Sequence, residues 1–168
     1  EEPPTTDVEA AAEQASPAAA AATDAAVTTL ARGGDFRFAL SESQVLASVK
    51  TKCAASPDAQ ACMSEVEEAA AGEGNQVEPL GDGRIRYRSY SHEGGERRDL
   101  IDAELTLASE GDGLVALKID RVLKGQAPPA DAKLLIEVVD ANTIAMDKQP
   151  GAHPRTGGMR LVFHRQAD

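Results

Sequence analysis

From Gly74 to the C-terminus the apolar residues of this chain alternate with polar ones, and glycine-bearing turns break the alternation into short runs. A period of two sends successive side chains to opposite faces of a strand, so each run can bury one face and wet the other. Ile85 and Tyr87 share a face of the first run, Ile101, Ala103, Leu105 and Leu107 of the second, and Val115, Leu117 and Ile119 of the third. Leu134 to Val139 is almost continuously apolar; Ile144 and Met146, then Met159, Leu161 and Phe163, form two further runs. Turn signals stand at Gly81-Asp82-Gly83, His92-Glu93-Gly94-Gly95, Gly111-Asp112-Gly113 and Asp140-Ala141-Asn142, with longer loops at Gln126–Asp131 and Gln149–Gly158. Tight turns join antiparallel neighbours. The pattern therefore predicts an antiparallel β-meander of about six strands, with Leu134–Val139 buried most deeply, beneath helices.

Helical spacing precedes Gly74. Ser41 and Gln44 form a capping-box pattern ahead of Val45, Leu46, Val49 and Cys53, which predicts a helix to about Ala55. Ser56-Pro57-Asp58 supplies a second cap, and Cys62, Met63, Val66, Ala69 and Ala70 continue an apolar face to Gly72. Phe36, Phe38 and Leu40 alternate ahead of both helices, as a short strand or an extended lead-in. Cys53 and Cys62 then lie near the joined ends of a helical hairpin. Pairing them closes a loop of about ten residues and contributes roughly 2.5–3 kcal/mol on the chain-entropy account. Two buried thiols of a cytosolic helix pair are the alternative. The expected fold class is α+β: a disulfide-stapled helical hairpin packed on the meander, in a single domain spanning 35–168.

Residues 1–34 hold twelve Ala, six acidic residues, three Pro and no aromatic residue. Val8, Val27 and Leu30 are too few to offset the ordering entropy, so 1–34 reads as a disordered acidic tether with a transient helix near Ala18–Leu30. The formal charge of the chain is -11. Nucleic acid and anionic lipid both need a basic field, so neither is an expected partner. No run reaches the roughly 18 apolar residues that span a bilayer, and membrane contact is expected only through an N-terminal lipid absent from this chain. A start at Glu1 rather than Met raises the expectation that a signal segment is removed upstream.

Two resemblances bear on function. Asn142-Thr-Ile-Ala-Met-Asp147 and Gly158-Met-Arg-Leu-Val-Phe-His-Arg165 resemble the closing hairpin of small lipocalin-like barrels, where a polar turn feeds a strand ending in an arginine. The chain contains no Trp and so lacks the Gly-x-Trp signature of true lipocalins. This resemblance implies a carrier of a small apolar ligand. An acidic Ala/Pro/Thr tether before a small disulfide-stapled domain resembles mature bacterial envelope lipoproteins, immunity lipoproteins among them. That resemblance implies a periplasmic, lipid-tethered protein that binds and neutralises a secreted antibacterial toxin.

The residues offer little catalytic chemistry. No serine stands in a Gly-x-Ser-x-Gly frame, and paired cysteines leave no thiolate nucleophile. Gly151–Gly158 lacks the Gly-Lys-Ser/Thr ending of a phosphate loop. His92, His153 and His164 do not combine with the cysteines at zinc spacing, so no metal and no cofactor are expected. Asp99 with Asp102 and Glu65 with Glu68 are carboxylate pairs that a chain with 28 acidic residues produces by chance. Asp82 and Asp112 are explained by their turns. One cluster departs from the acidic background: Arg84, Arg86 and Arg88 alternate on one strand, with Tyr90, Arg97 and Arg98 just beyond. Guanidinium forks there could engage a partner's carboxylates, or could pair across strands with Glu96, Asp102 and Glu104. His153 and Arg155 form a second candidate contact on a loop. The leading expectation is a monomeric, non-enzymatic, periplasmic protein-binding module; the alternative is the lipocalin-like carrier.

Overall fold

The computed structural model describes residues 25–167. A helix, α1, occupies 25–31 of these. It is followed by β1 (Gly34–Phe38), a single 3-10 turn (Leu40–Glu42), α2 (Val45–Ala54) and α3 (Ala59–Ala71). Seven strands complete the chain: β2 (Gly74–Gly81), β3 (Arg84–Glu93), β4 (Glu96–Gly111), β5 (Leu114–Lys124), β6 (Leu134–Asp140), β7 (Thr143–Asp147) and β8 (Arg160–Arg165). Each strand pairs antiparallel with the next, and β8 pairs back onto β1, so the eight strands form a closed barrel.

This overturns the expectation of an open six-stranded meander beneath helices. One strand, β2, escapes local reading, and another, β1, reads locally only as a short strand or an extended lead-in. Gly74, Pro79 and Gly81 leave β2 with only Val77 and Leu80 as aliphatics, and its place is set by register, with Asn75 opposite both Phe36 of β1 and Ser89 of β3. The lead-in Phe36–Phe38 becomes β1 because it pairs with the far end of the chain, Phe36 with Arg165 and Phe38 with Phe163. Closure removes both sheet edges, which otherwise present unpaired backbone groups. The tight turns behave as the glycine pattern requires: Asp82 and Asp112 take φ of 56° and 60°, each followed by a glycine at positive φ.

Of the stretch 1–34 read as a tether, 1–24 lies outside the described residues, and 25–34 belongs to the folded body. Leu30 and Ala26 of α1 are buried against the barrel core with Phe36, Val77 and Ile85. Arg165 closes that end: its guanidinium lies 4.6 Å over the Phe36 ring and donates to the carbonyls of Thr29 at 3.2 Å and Ala141 at 3.3 Å. Gly34-Asp35-Phe36 is thus a Gly-x-aromatic frame with phenylalanine under the terminal-strand arginine. Gly33 takes φ +81°, and a Cβ there would stand 2.6 Å from the Val77 carbonyl oxygen, so the chain enters β1 only with glycine at that corner.

The helical hairpin sits at the opposite end, with α3 beside β1 and β3 and the 3-10 turn that leads into it against β8, and it does not cover β6. The Cys53–Cys62 disulfide is present, with an S–S length of 2.02 Å and Cα atoms 5.4 Å apart. Asp58 caps α3 by accepting from the Ala61 N–H at 3.0 Å. Ser41 does not cap α2. Instead Ser43 Oγ accepts from the Val162 N–H at 2.9 Å and Gln44 Oε1 from the Arg160 N–H at 2.6 Å, fastening the hairpin's entry to β8. Ile136 of β6 is buried as expected, yet Val139 is 46% exposed. No described helix is long and apolar enough to cross a membrane.

Candidate functional site

An eight-stranded barrel is just wide enough to be filled by side chains or to hold one small ligand. Which outcome applies depends on where the bulky residues fall. All three phenylalanines lie on β1 and β8, and Phe38 meets Phe163 with ring centroids 5.4 Å apart. Apart from Tyr87, the walls from β3 to β7 carry smaller inward residues, and there the interior is not filled. A cavity of about 230 Å³ remains, lined by Tyr87, Ala103, Leu105, Leu117, Ile119 and Met146 among others. Its mouth is at the end opposite α1, between the β5–β6 loop, which contributes Gln126 and Pro128, and the end of β7 at Asp147 with residues 148–152 of the β7–β8 loop. Ile101 and Val122 stand at the rim, 39% and 37% exposed. The volume lies slightly below the 300–1,000 Å³ usual for ligand pockets, which suits a small or slender guest.

One wall is polar. The Tyr87 hydroxyl donates to Asn75 Oδ1 at 2.6 Å and lies 3.8 Å from Met146 Sδ. Burial pushes the Tyr87 phenol well above its ordinary pKa of 10.0, so it stays a neutral donor. Asn75 is 2% exposed, and its Nδ2 has no hydrogen-bond partner among the described residues.

The β7–β8 loop is pinned from outside the barrel. Arg155 donates to Glu137 at 2.9 Å and to Asp112 at 3.2 Å, and Arg160 pairs with the same Glu137. Burial pushes the Glu137 carboxyl up, but the hydrogen bonds from Arg160 and Arg155 outweigh it and leave the pKa below its ordinary value. Pro154 is fully buried beneath these contacts, and His153 Nδ1 accepts from the Arg155 N–H at 3.1 Å. The two loop residues singled out from sequence, His153 and Arg155, are therefore brought together to hold the loop in place.

The arginine cluster is likewise engaged internally. Arg86 binds Asp102 through two bonds of 2.9 and 2.8 Å, and Arg88 reaches Glu78 at 3.2 Å and Asp102 at 3.6 Å. Arg84 lies 3.4 Å from Glu104 and 3.5 Å from Asp120, and Arg98 pairs with Glu93 at 2.9 Å. Arg97 pairs with Asp99 at 2.9 Å and sits 4.2 Å over the ring of Tyr90, which is itself buried. The hydrogen bond from Arg86 holds the Asp102 carboxyl below its ordinary range. Internal pairing thus engages all five arginines, across strands for Arg84, Arg86, Arg88 and Arg98 and within β4 for Arg97 with Asp99, with Asp102 and Glu104 among the partners anticipated.

Sequence reasoning reached a ligand-holding interior only through the lipocalin-like alternative, and it missed Asn75. The usable signal was the near absence of aromatic residues, 3% of the chain, combined with Ala103 in an inward-facing row: small inner side chains cannot fill a closed barrel. Comparison with family models, with curated proteins and with solved structures finds no significant match to this chain.

Proposed function

We propose that this protein is a carrier that holds a small, predominantly apolar ligand inside its barrel. The observation that carries the reading is the aliphatic cavity, open at one end, in a barrel whose other end α1 and Arg165 close. A concave apolar site with one convergent polar group is what ligand recognition requires. The disulfide supports an oxidising compartment outside the cytosol. Neutralisation of a secreted toxin draws less support, because the arginines that would meet a partner's carboxylates are already paired.

Calorimetric titration with short-chain hydrophobic probes tests the proposal. Saturable one-to-one binding is expected, together with its loss in Ala103→Phe, which fills the cavity from a position 3% exposed. Failure of every such probe to bind the folded wild-type protein sinks it.

A further inference from the structure

The polar wall suggests what the guest carries. Leaving a buried N–H without an acceptor costs about 1–3 kcal/mol, so the orphaned Nδ2 of Asn75, deep in the interior, calls for an explanation. The Asn75 side chain faces inward, since it lies two residues from the core residue Val77 on β2 and so shares its face. Tyr87 stands between it and the cavity, lining the cavity while its hydroxyl proton goes to Asn75 Oδ1. If the amide turns over about its terminal torsion, Nδ2 donates to the Tyr87 oxygen and the phenolic proton is freed. The exchange by itself moves the unpaired donor from Asn75 to the Tyr87 hydroxyl, at the cavity; once a ligand oxygen accepts that proton, what remains unpaired is the amide oxygen, and buried oxygens with spare lone pairs are better tolerated than buried N–H groups.

We propose that the cavity takes a ligand bearing an uncharged carbonyl, as in an ester, ketone or amide, which accepts a hydrogen bond from the Tyr87 hydroxyl once Asn75 donates to the Tyr87 oxygen. The inference rests on the carrier reading. At the depth of Tyr87 a carboxylate is disfavoured because Asn75, Tyr87 and Met146 are all uncharged and a buried anion without a cation is costly; the cation in the lining, Lys148, stands at the mouth next to Asp147. The inward arginine at the closed end, Arg165, is engaged with the Thr29 and Ala141 carbonyls.

The test compares octane, methyl octanoate and octanoate by calorimetry against wild-type protein and two variants. Methyl octanoate is expected to bind wild type about tenfold more tightly than octane, with octanoate weakest at neutral pH. Tyr87→Phe should bring the ester down to the alkane's affinity while leaving octane binding intact. Asn75→Asp should do the same with Tyr87 in place, because its carboxylate keeps the phenolic proton. Should burial of that charge unfold the variant, the wild-type comparison and Tyr87→Phe still decide. Equal affinities for ester and alkane in wild type, or an ester preference that survives Tyr87→Phe, overturn the inference and leave the carrier reading standing. Binding of none of the three defeats both.

Discussion

The hydroxyl of Tyr90 on β3 donates to the carboxylate of Asp35 on β1 at 2.5 Å, reaching across the intervening strand β2. The crossing is possible because Gly74 lies between them: a Cβ at that position would stand 2.5 Å from the Tyr90 oxygen and 2.8 Å from the Phe36 carbonyl oxygen. Arg37 and Arg97 flank the ring at 5.5 and 4.2 Å. Three strands are thereby fastened by one side chain. Gly74→Ala is expected to lower stability by about 1–3 kcal/mol through overpacking, and Tyr90→Phe by about 1–2 kcal/mol through the lost charge-assisted bond. Urea unfolding of the two variants checks both values, and a neutral Gly74→Ala would refute the account of the crossing.

Closure at the α1 end depends on Arg165. Arg165→Leu removes the contact over Phe36 and the donors to Thr29 and Ala141. The expected loss is about 2–4 kcal/mol, combining cation–π and charged hydrogen-bond terms. Arg165→Lys should recover less than half of it, since an ammonium lacks the planar fork. Amide exchange across 25–31 should accelerate in both variants before the strands are affected.

The disulfide acts locally. The chain-entropy account allows at most roughly 3 kcal/mol for the short loop between Cys53 and Cys62, and the hairpin it staples lies at the barrel's end. Reduction, or Cys53→Ser with Cys62→Ser, is therefore expected to release α2 and α3 while β1 to β8 keep their exchange protection. Simultaneous loss of protection in hairpin and strands would contradict this.

Acid should loosen the mouth. The folded-state pKa of Glu137 is lowered from 4.5, so its stabilisation is present above that value and is lost as pH falls through the lowered pKa. As the pH falls below 4.5 and through the lowered pKa, exchange in 148–159 should rise ahead of global unfolding. Arg155→Ala should mimic the effect at neutral pH, and probe dissociation should quicken in step if those loop residues gate the cavity.

What was legible in the sequence was local. Alternation located the runs that became β3 to β8, the turn glycines located the hairpins, and cysteine spacing located the disulfide, because each depends on residues a few positions apart. The same locality explains why Arg84, Arg86 and Arg88 could be assigned to one face without saying whether that face was free. Their partners sit on neighbouring strands, Glu78 on β2 and Asp102 and Glu104 on β4.

The sequence by itself determined that this chain makes successive antiparallel strands behind a stapled helical pair, since period, turn chemistry and cysteine separation are properties of adjacent residues. Only the tertiary structure decided that the strands close, that α1 and Arg165 stop one end, and that a cavity survives at the other. Those outcomes turn on pairing between β1 and β8 and on the gathering of the phenylalanines on those two strands, where Phe38 meets Phe163. Long-range register and the balance of inner volumes are sums over the whole barrel, and no single segment carries them.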